Sequence, residues 1–179
     1  TGLFPVAGLT MLDGESHYGN ALLSRFPVKA VERFDISVAG RETRGILAVE
    51  VLANKKALRV FATHLGLSRG ERSSQIIELL KYLKGTWASG CVVMGDLNEW
   101  NRSAVNIRLL NRKLGPSPYL GTFPSKFPVF ALDRIWATPP CVIESREVIK
   151  NKLTRVASDH LPLMATISLN GRRSTSYSG

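Results

Sequence analysis

The chain has 179 residues, a length that suits one folded domain with a sizeable core. Its 44% hydrophobic and 21% charged residues are typical of a globular protein, and no apolar run is long enough to cross a membrane. Lysine and arginine outnumber aspartate and glutamate by 24 to 14, which gives a formal net charge of +10. Such a charge attracts nucleic acid, anionic lipid or phosphorylated small molecules, although scattered basic residues also serve solubility alone.

Short runs rich in β-branched residues predict a series of strands. These runs are residues 45–52, 58–63, 91–94, 131–136, 142–149 and 161–169. The polar segment 53–56 predicts a hairpin connection between the first two runs. One helix is predicted to begin near Ser68 or Gly70, because apolar residues follow at helical spacing, and a second helix is predicted over 103–110.

The remaining segments predict loops. Residues 115–128 contain four prolines and predict a long loop of the kind that often borders a site. We expect one domain over residues 1–169, followed by a polar, disordered tail at 170–179. The order of elements favours an α+β or mixed α/β sandwich over strict βαβ winding.

The two cysteines bear on the cellular compartment. Cys91 and Cys141 each precede a valine-containing stretch that resembles a strand, and free cysteines there are typically buried. Two cysteines make no disulfide framework, although a single disulfide stays open. Because the first residues also lack a basic region and a cleavage site, we expect a protein of the cytoplasm.

Asp96 and Asn98 give the strongest chemical signal. They follow a valine-rich strand and Gly95, and residues two apart in extended chain point to the same face. A carboxylate and an amide placed together can position a water molecule or coordinate a hard cation such as Mg²⁺. The alternative is an Asx turn that only caps the strand end. Both interpretations stay open at this stage.

Histidine and aspartate supply the second signal. His160 stands beside Asp159 just before the last predicted strand, and His64 ends an earlier strand. Asp133 lies inside an apolar strand, where burial is costly unless the carboxylate has a partner. The partner is either a nearby arginine such as Arg134, or His160, whose ring an aspartate can orient.

The order of these motifs resembles the endonuclease/exonuclease/phosphatase superfamily, which has the deoxyribonuclease-I-like fold. The sequences THL, GDLN, LDRI and SDHLP follow one another at 63–65, 95–98, 132–135 and 158–162. The segment YGNALLSRFP at 18–27 is also similar to that family's characteristic strand. Each motif alone is weakly specific, but five in the same order, from Tyr18 to Leu169, are a strong resemblance.

The resemblance implies a four-layer α/β sandwich, in which two mixed β-sheets pack face to face with helices outside. It implies that Asp96 orients or deprotonates the attacking water and that Asn98 holds the phosphate or that water. His160, with Asp133 behind it, would stabilise the developing negative charge on the phosphate. His64 would donate to a phosphoryl oxygen.

The resemblance also implies Mg²⁺ or Mn²⁺ as cofactor, with Asp159 on the metal side of the site. Asn20 matches a motif position and is a candidate for substrate binding or for a structural role. The family's first strand with an asparagine, and its principal glutamate ligand, have no match before Tyr18. We therefore expect that the chain is incomplete at its N-terminus.

The resulting prediction is a metal-dependent phosphoester hydrolase that acts on nucleic acid, phospholipid or a small phosphodiester, as a monomer. No nucleophilic serine or cysteine motif is present, and phosphoester hydrolysis by water needs none. The alternative is a non-catalytic or inactive fragment of the same fold that binds phosphate or nucleic acid. An unrelated α+β fold would leave the order of the motifs to chance.

Overall fold

The computed structural model describes residues 2–13, 16–86 and 90–170. Its strands are β1 (Phe4–Asp13), β2 (Ser16–Ser24), β3 (Val28–Asp35), β4 (Gly45–Ala53), β5 (Lys56–His64), β6 (Cys91–Asp96), β7 (Asp133–Ala137), β8 (Val142–Val148) and β9 (Leu163–Ser168). Its helices are α1 (Arg69–Leu83), α2 (Val105–Leu114) and the single turn α3 (Thr154–Ala157), with a 3-10 turn at Lys84–Thr86. No helix of the described residues is long and apolar enough to span a membrane.

The central layer is a five-stranded sheet in the order β3-β4-β5-β6-β7. Neighbouring strands run antiparallel except β5 and β6, which are parallel. A parallel pair needs a crossover connection, and α1 supplies it between these two strands. The carboxyl ends of β5 and β6 therefore meet at the same edge of the sheet, where β7 begins.

One face of this sheet is covered by α1 and α2. Their apolar residues, including Leu79 and Leu110, form one core with Phe61 and Trp136 from the sheet, and all four are at most 1% exposed. Helix α1 is capped by Ser68, whose hydroxyl accepts from the backbone N–H of Glu71 at 3.3 Å. This confirms the helix predicted to begin near Ser68.

The opposite face is covered by two antiparallel hairpins, β1-β2 and β8-β9. Val6 and Leu22 from the first hairpin and Ile167 from the second share a second core with Val49 and Val92 of the central sheet. The two hairpins are not hydrogen-bonded to each other within the described residues. The structure confirms the α/β sandwich with two β-layers and helices outside.

Two strands of the structure were not predicted from the sequence. β1 contains Pro5 and Gly8, and proline and glycine are depleted in strands. Gly8 lets the backbone of β1 approach Leu47, because a Cβ on residue 8 would lie only 2.9 Å from the Leu47 Cβ. β3 shows mostly exposed residues without a regular alternation, because it lies at the edge of the sheet. Pairing and packing, rather than local sequence pattern, therefore form these two strands.

The boundaries of other elements also differ. The second helix spans Val105–Leu114 rather than 103–110, because Ser103 belongs to a turn in which its N–H donates to the Asn101 side chain at 2.9 Å. The hairpin connection at 53–56 is confirmed as a two-residue turn at Asn54 and Lys55, both with positive φ. The loop predicted at 115–128 contains no helix or strand. The predicted tail lies, from residue 171 onward, outside the described residues.

Candidate active site

Three of the sequence motifs lie side by side at one edge of the central sheet. His64 ends β5, Asp96 ends β6 and Asp133 begins β7. The strand register pairs His64 with Asp96, and Asp96 with Asp133. Residues paired in this way across neighbouring strands lie close together and share a face of the sheet. The sheet therefore brings together side chains that are far apart in sequence.

Gly95 allows this close arrangement. Its φ is +151°, and a Cβ at this position would lie 1.8 Å from the carbonyl oxygen of Thr63 on the neighbouring strand. Any other residue would push β5 and β6 apart just before His64 and Asp96. The close approach of β5 and β6 therefore requires a glycine at this position of the GDLN motif.

Asp96 and Asn98 form an Asx turn at this edge of the sheet. The backbone N–H of Asn98 donates to Asp96 Oδ1 at 2.8 Å, and the positive φ of Asn98 turns the chain back. The Asn98 amide then donates to the carbonyl oxygen of Leu65 at 2.8 Å, and its nitrogen lies 3.1 Å from His64 Nε2. The Asx turn is therefore present, and it places the Asn98 amide beside His64, whereas a role of the pair in holding water or a cation stays a prediction.

Asp133 has His160 as its partner. His160 Nδ1 lies 2.7 Å from Asp133 Oδ2. Arg134, the alternative partner, points away and donates to the backbone carbonyls of Ala131 and Ser117. The suggestion that an arginine neutralises Asp133 is therefore wrong for Arg134, since this guanidinium supports the loop 115–128 instead.

Asp96 lies between the two histidines. Its Oδ2 is 3.4 Å from His64 Nε2 and 3.9 Å from His160 Nε2. The His160 ring is held in place by Phe123, whose ring centroid is 4.9 Å away, and by Ser158, whose hydroxyl accepts from the His160 backbone N–H at 3.2 Å. One carboxylate oxygen thus faces two imidazole nitrogens on one side of the sheet.

The two histidines have opposite pKa shifts. Burial disfavours the charged form of His160, but the hydrogen bond and charge of Asp133, with the charges of Asp96 and Asp159, raise its pKa above the ordinary 6.5. Burial and the positive charge of Arg44 lower the pKa of His64 below 6.5 against the opposing charge of Asp96. His160 therefore keeps its proton to higher pH than His64 does.

These side chains open onto a groove of about 510 Å³. Its walls come from the ends of β5, β6 and β7, from β2 of one hairpin, and from Ser158 and residues 160–163 at the start of the other hairpin's last strand. Asn20 lies on the β2 wall and donates from its amide to the carbonyl oxygen of Gly45 at 3.0 Å. Asn20 therefore borders the groove while it ties β2 to the central sheet.

Asp159 occupies a different position from the other predicted residues. It is exposed, its carboxylate accepts from the Ser158 hydroxyl at 3.2 Å, and it does not line the groove. Among the described residues, no three or more His, Cys, Asp or Glu side chains group in a way that would hold a metal ion. These residues by themselves do not fit a complete divalent-metal site, and the metal role of Asp159 stays a prediction.

Two further residues near the groove, Arg44 and Ser158, were not among the predicted site residues. Arg44 immediately precedes β4 and is buried at 8% exposure, although it lies in a run of charged residues typical of a surface loop. Ser158 lines the groove and bonds the backbone of His160. Arg44 lies near the groove because β2 packs against the start of β4. The periodicity of apolar residues in the sequence does not predict such packing.

Comparison with known proteins places the chain in a family. The profile of the Endonuclease/Exonuclease/phosphatase family matches residues 4–160. The chain belongs to this family. The uncharacterized protein YbhP of Escherichia coli K12 is 33% identical over 171 residues, which cover 87% of this chain. The chain spans 64% of the length of that family member.

Several solved structures share this fold. An endonuclease/exonuclease/phosphatase from Bacteroides vulgatus has a TM-score of 0.77 at 16% identity, covering 93% of this chain and 76% of that one. A mannosyl-6-phosphatase from Bacteroides thetaiotaomicron has a TM-score of 0.74 at 14% identity, over 93% and 76% of the two chains. The human Nocturnin catalytic domain has a TM-score of 0.72 at 20% identity, over 93% and 72%. These likenesses establish the fold.

Proposed function

We propose that the chain carries the water-activating and phosphate-binding side of a phosphoester hydrolase. The observation that supports this most is Asp96 Oδ2, which faces the Nε2 atoms of both His64 and His160 at 3.4 and 3.9 Å. A phosphoester in the groove would then meet a general base and two imidazoles together. Family membership supports the same reaction class, and the net charge of +10 favours an anionic substrate.

His160 acts in this proposal as the cationic group. Its raised pKa favours the protonated ring, and Asp133 occupies Nδ1, so Nε2–H is left to donate to a nonbridging phosphoryl oxygen. Negative charge builds up on these oxygens as the water attacks, and a fixed donor lowers the barrier for that step. Asp133 orients the ring and stabilises its charge.

Asp96 acts as the base that takes a proton from the attacking water. Its Oδ1 is held by the backbone of Asn98, so Oδ2 is the oxygen available for the water. The Asn98 amide nitrogen fixes His64, since it lies 3.1 Å from His64 Nε2, and the amide oxygen is left to accept from the attacking water. Neutral His64 carries one ring N–H, which would donate to a phosphoryl oxygen.

The described residues do not form a complete divalent-metal site, so no step above passes through a metal ion. A requirement for Mg²⁺ or Mn²⁺, with Asp159 near the ion, stays a prediction from the family resemblance. The same observation favours the second candidate function, a phosphate-binding or nucleic-acid-binding module without turnover. The two candidates share the groove and differ only in hydrolysis.

The test is hydrolysis of bis(p-nitrophenyl) phosphate by the purified chain, with and without Mg²⁺ or Mn²⁺. We expect p-nitrophenol release that falls at least about 100-fold in Asp96→Ala and in His160→Ala. Glu144→Gln, which removes an exposed carboxylate on β8, should retain the full rate. Turnover that is unchanged in the first two variants would contradict the proposal. Phosphate binding without turnover would support the binding module.

A further inference from the structure

The guanidinium of Arg44 is buried beside the groove with unused hydrogen-bonding capacity. Its Nη2 donates to Glu42 Oε2 at 2.9 Å, whereas its Nε is buried and has no partner among the described residues. A guanidinium has five N–H donors and keeps its charge at any pH that a protein tolerates. A buried donor without an acceptor destabilises the folded state. The Nε–H of Arg44 therefore lacks an acceptor among the described residues, and an anion that contacts the guanidinium would supply one.

A small pocket connects Arg44 with the groove. It has a volume of about 210 Å³ and is lined by Arg44 and Glu42 together with Asn20 and His64. Asn20 and His64 also line the groove, so the two spaces share a wall. Sites for small molecules usually measure roughly 300–1,000 Å³. The pocket is thus small for a whole ligand but suits one group of a ligand that also occupies the groove.

Glu42 is a local and replaceable partner of Arg44. Its side chain is 50% exposed, and it stands only two residues away along the chain. Carboxylates and phosphates bind the guanidinium fork in the same geometry. A phosphate that enters the pocket can therefore take the place of the Glu42 carboxylate, which then turns to solvent.

We propose that Arg44 recognises a second phosphate group of the substrate, next to the phosphoester held between His64 and His160. This inference rests on the proposed function and narrows its substrate class to compounds with two neighbouring phosphate groups. Such a substrate places one phosphate in the groove and the other in the pocket beside it. Arg44 acts here in substrate selection.

Isothermal titration calorimetry with thymidine 3′,5′-bisphosphate and thymidine 5′-monophosphate tests this without turnover. The wild type should bind the bisphosphate more tightly, and Arg44→Gln should weaken bisphosphate binding roughly 10- to 100-fold with little effect on the monophosphate. Glu42→Gln should strengthen bisphosphate binding, because the competing carboxylate is gone. Arg41→Gln, a change at an exposed arginine of the same segment, should leave both affinities unchanged.

Opposite effects at Glu42 and Arg44 distinguish recognition from a structural ion pair. Weaker bisphosphate binding in both Glu42→Gln and Arg44→Gln would overturn the inference, as would equal wild-type affinities for the two nucleotides. If Arg44→Gln does not fold, Arg44→Lys keeps the charge and should still lose bisphosphate preference, because an ammonium lacks the planar fork. Absence of turnover would count against the proposed function alone, since calorimetry measures binding only.

Discussion

His160 Nδ1 lies 2.7 Å from Asp133 Oδ2, although the two residues are 27 positions apart in the chain. Asp133 is fixed by its place at the start of β7, next to Asp96 in the strand register. His160 is fixed by Phe123 and Ser158, both outside that sheet. The pair therefore joins the sheet edge to the segment before β9, and it sets the direction in which His160 Nε2 faces the groove.

Asp133→Asn should reduce phosphodiester turnover about 100-fold while KM changes little. The asparagine has nearly the same shape, but it neither stabilises the charged His160 ring nor holds its orientation as firmly. Steady-state kinetics with bis(p-nitrophenyl) phosphate measure this split between kcat and KM. A variant that loses only affinity, with kcat intact, would show that Asp133 supports binding rather than the chemical step.

NMR titration of the histidine rings should give a pKa above 6.5 for His160 and below 6.5 for His64. Asp133→Asn should lower the His160 pKa, because it removes the hydrogen bond and charge that oppose the effect of burial. Because protonated His160 supports the reaction, turnover by the wild type should decline as the pH rises through the His160 pKa. In Asp133→Asn this decline should begin at lower pH. Overlapping titrations of the two rings would contradict the assigned roles.

The His160–Asp133 pair should stabilise the folded protein more at low pH than at high pH. Because the His160 pKa is raised in the folded state, its stabilising contribution is fully present below the unfolded value near 6.5. The contribution is lost as the pH rises through the folded pKa. Urea unfolding of wild type and Asp133→Asn should therefore differ more at pH 6 than at pH 9. An equal difference at both pH values would exclude this linkage.

Much of the site could be predicted from the sequence, because its residues stand at strand ends in recognisable motifs. His64, Asp96 and Asp133 meet since β5, β6 and β7 are neighbours, which the motif order and the family resemblance together indicate. The choice between Arg134 and His160 as partner of Asp133 could not be made from spacing. It depends on how the segment before β9 returns to the sheet.

Other features were hidden for physical reasons. Strand β1 contains Pro5 and Gly8, and its formation depends on pairing with β2 and packing on Leu47 rather than on local propensity. Arg44 lies in a charged run that is typical of a surface loop, and tertiary contacts bury it. A sequence pattern indicates the local preference of a segment for helix or strand. It does not show which residues other elements bury.

Gly95→Ala should destabilise the protein by more than about 1 kcal/mol, because its Cβ would meet the Thr63 carbonyl oxygen and its φ of +151° disfavours alanine. Gly70→Ala is the matched control, since a Cβ there has open space within α1 and alanine favours a helix by about 0.5 kcal/mol or more. Thermal and urea unfolding measure both changes. Equal stability of the two variants would show that β5 and β6 tolerate separation.

Glu99→Gln should destabilise the fold by about 3 kcal/mol, because it leaves the buried Arg72 guanidinium without its counter-charge. Arg72 and Glu99 join α1 to the segment after β6, directly beyond Asn98. Glu78→Gln breaks the exposed pair with Lys81 on the same helix and should cost less than about 1 kcal/mol. Free energies of unfolding from urea titration compare the two. A cost below 1 kcal/mol for Glu99→Gln would contradict the structural role of this pair.

A double-mutant cycle in kcat at Asp96 and His160 tests most directly whether they serve one catalytic site. Asp96→Asn and His160→Gln should each reduce kcat for a phosphodiester about 100-fold, and the double variant should lose little more than either alone. Groups that act as a unit in one step show this lack of additivity. Losses that multiply in the double variant, or a single variant with wild-type kcat, would contradict a shared role in hydrolysis.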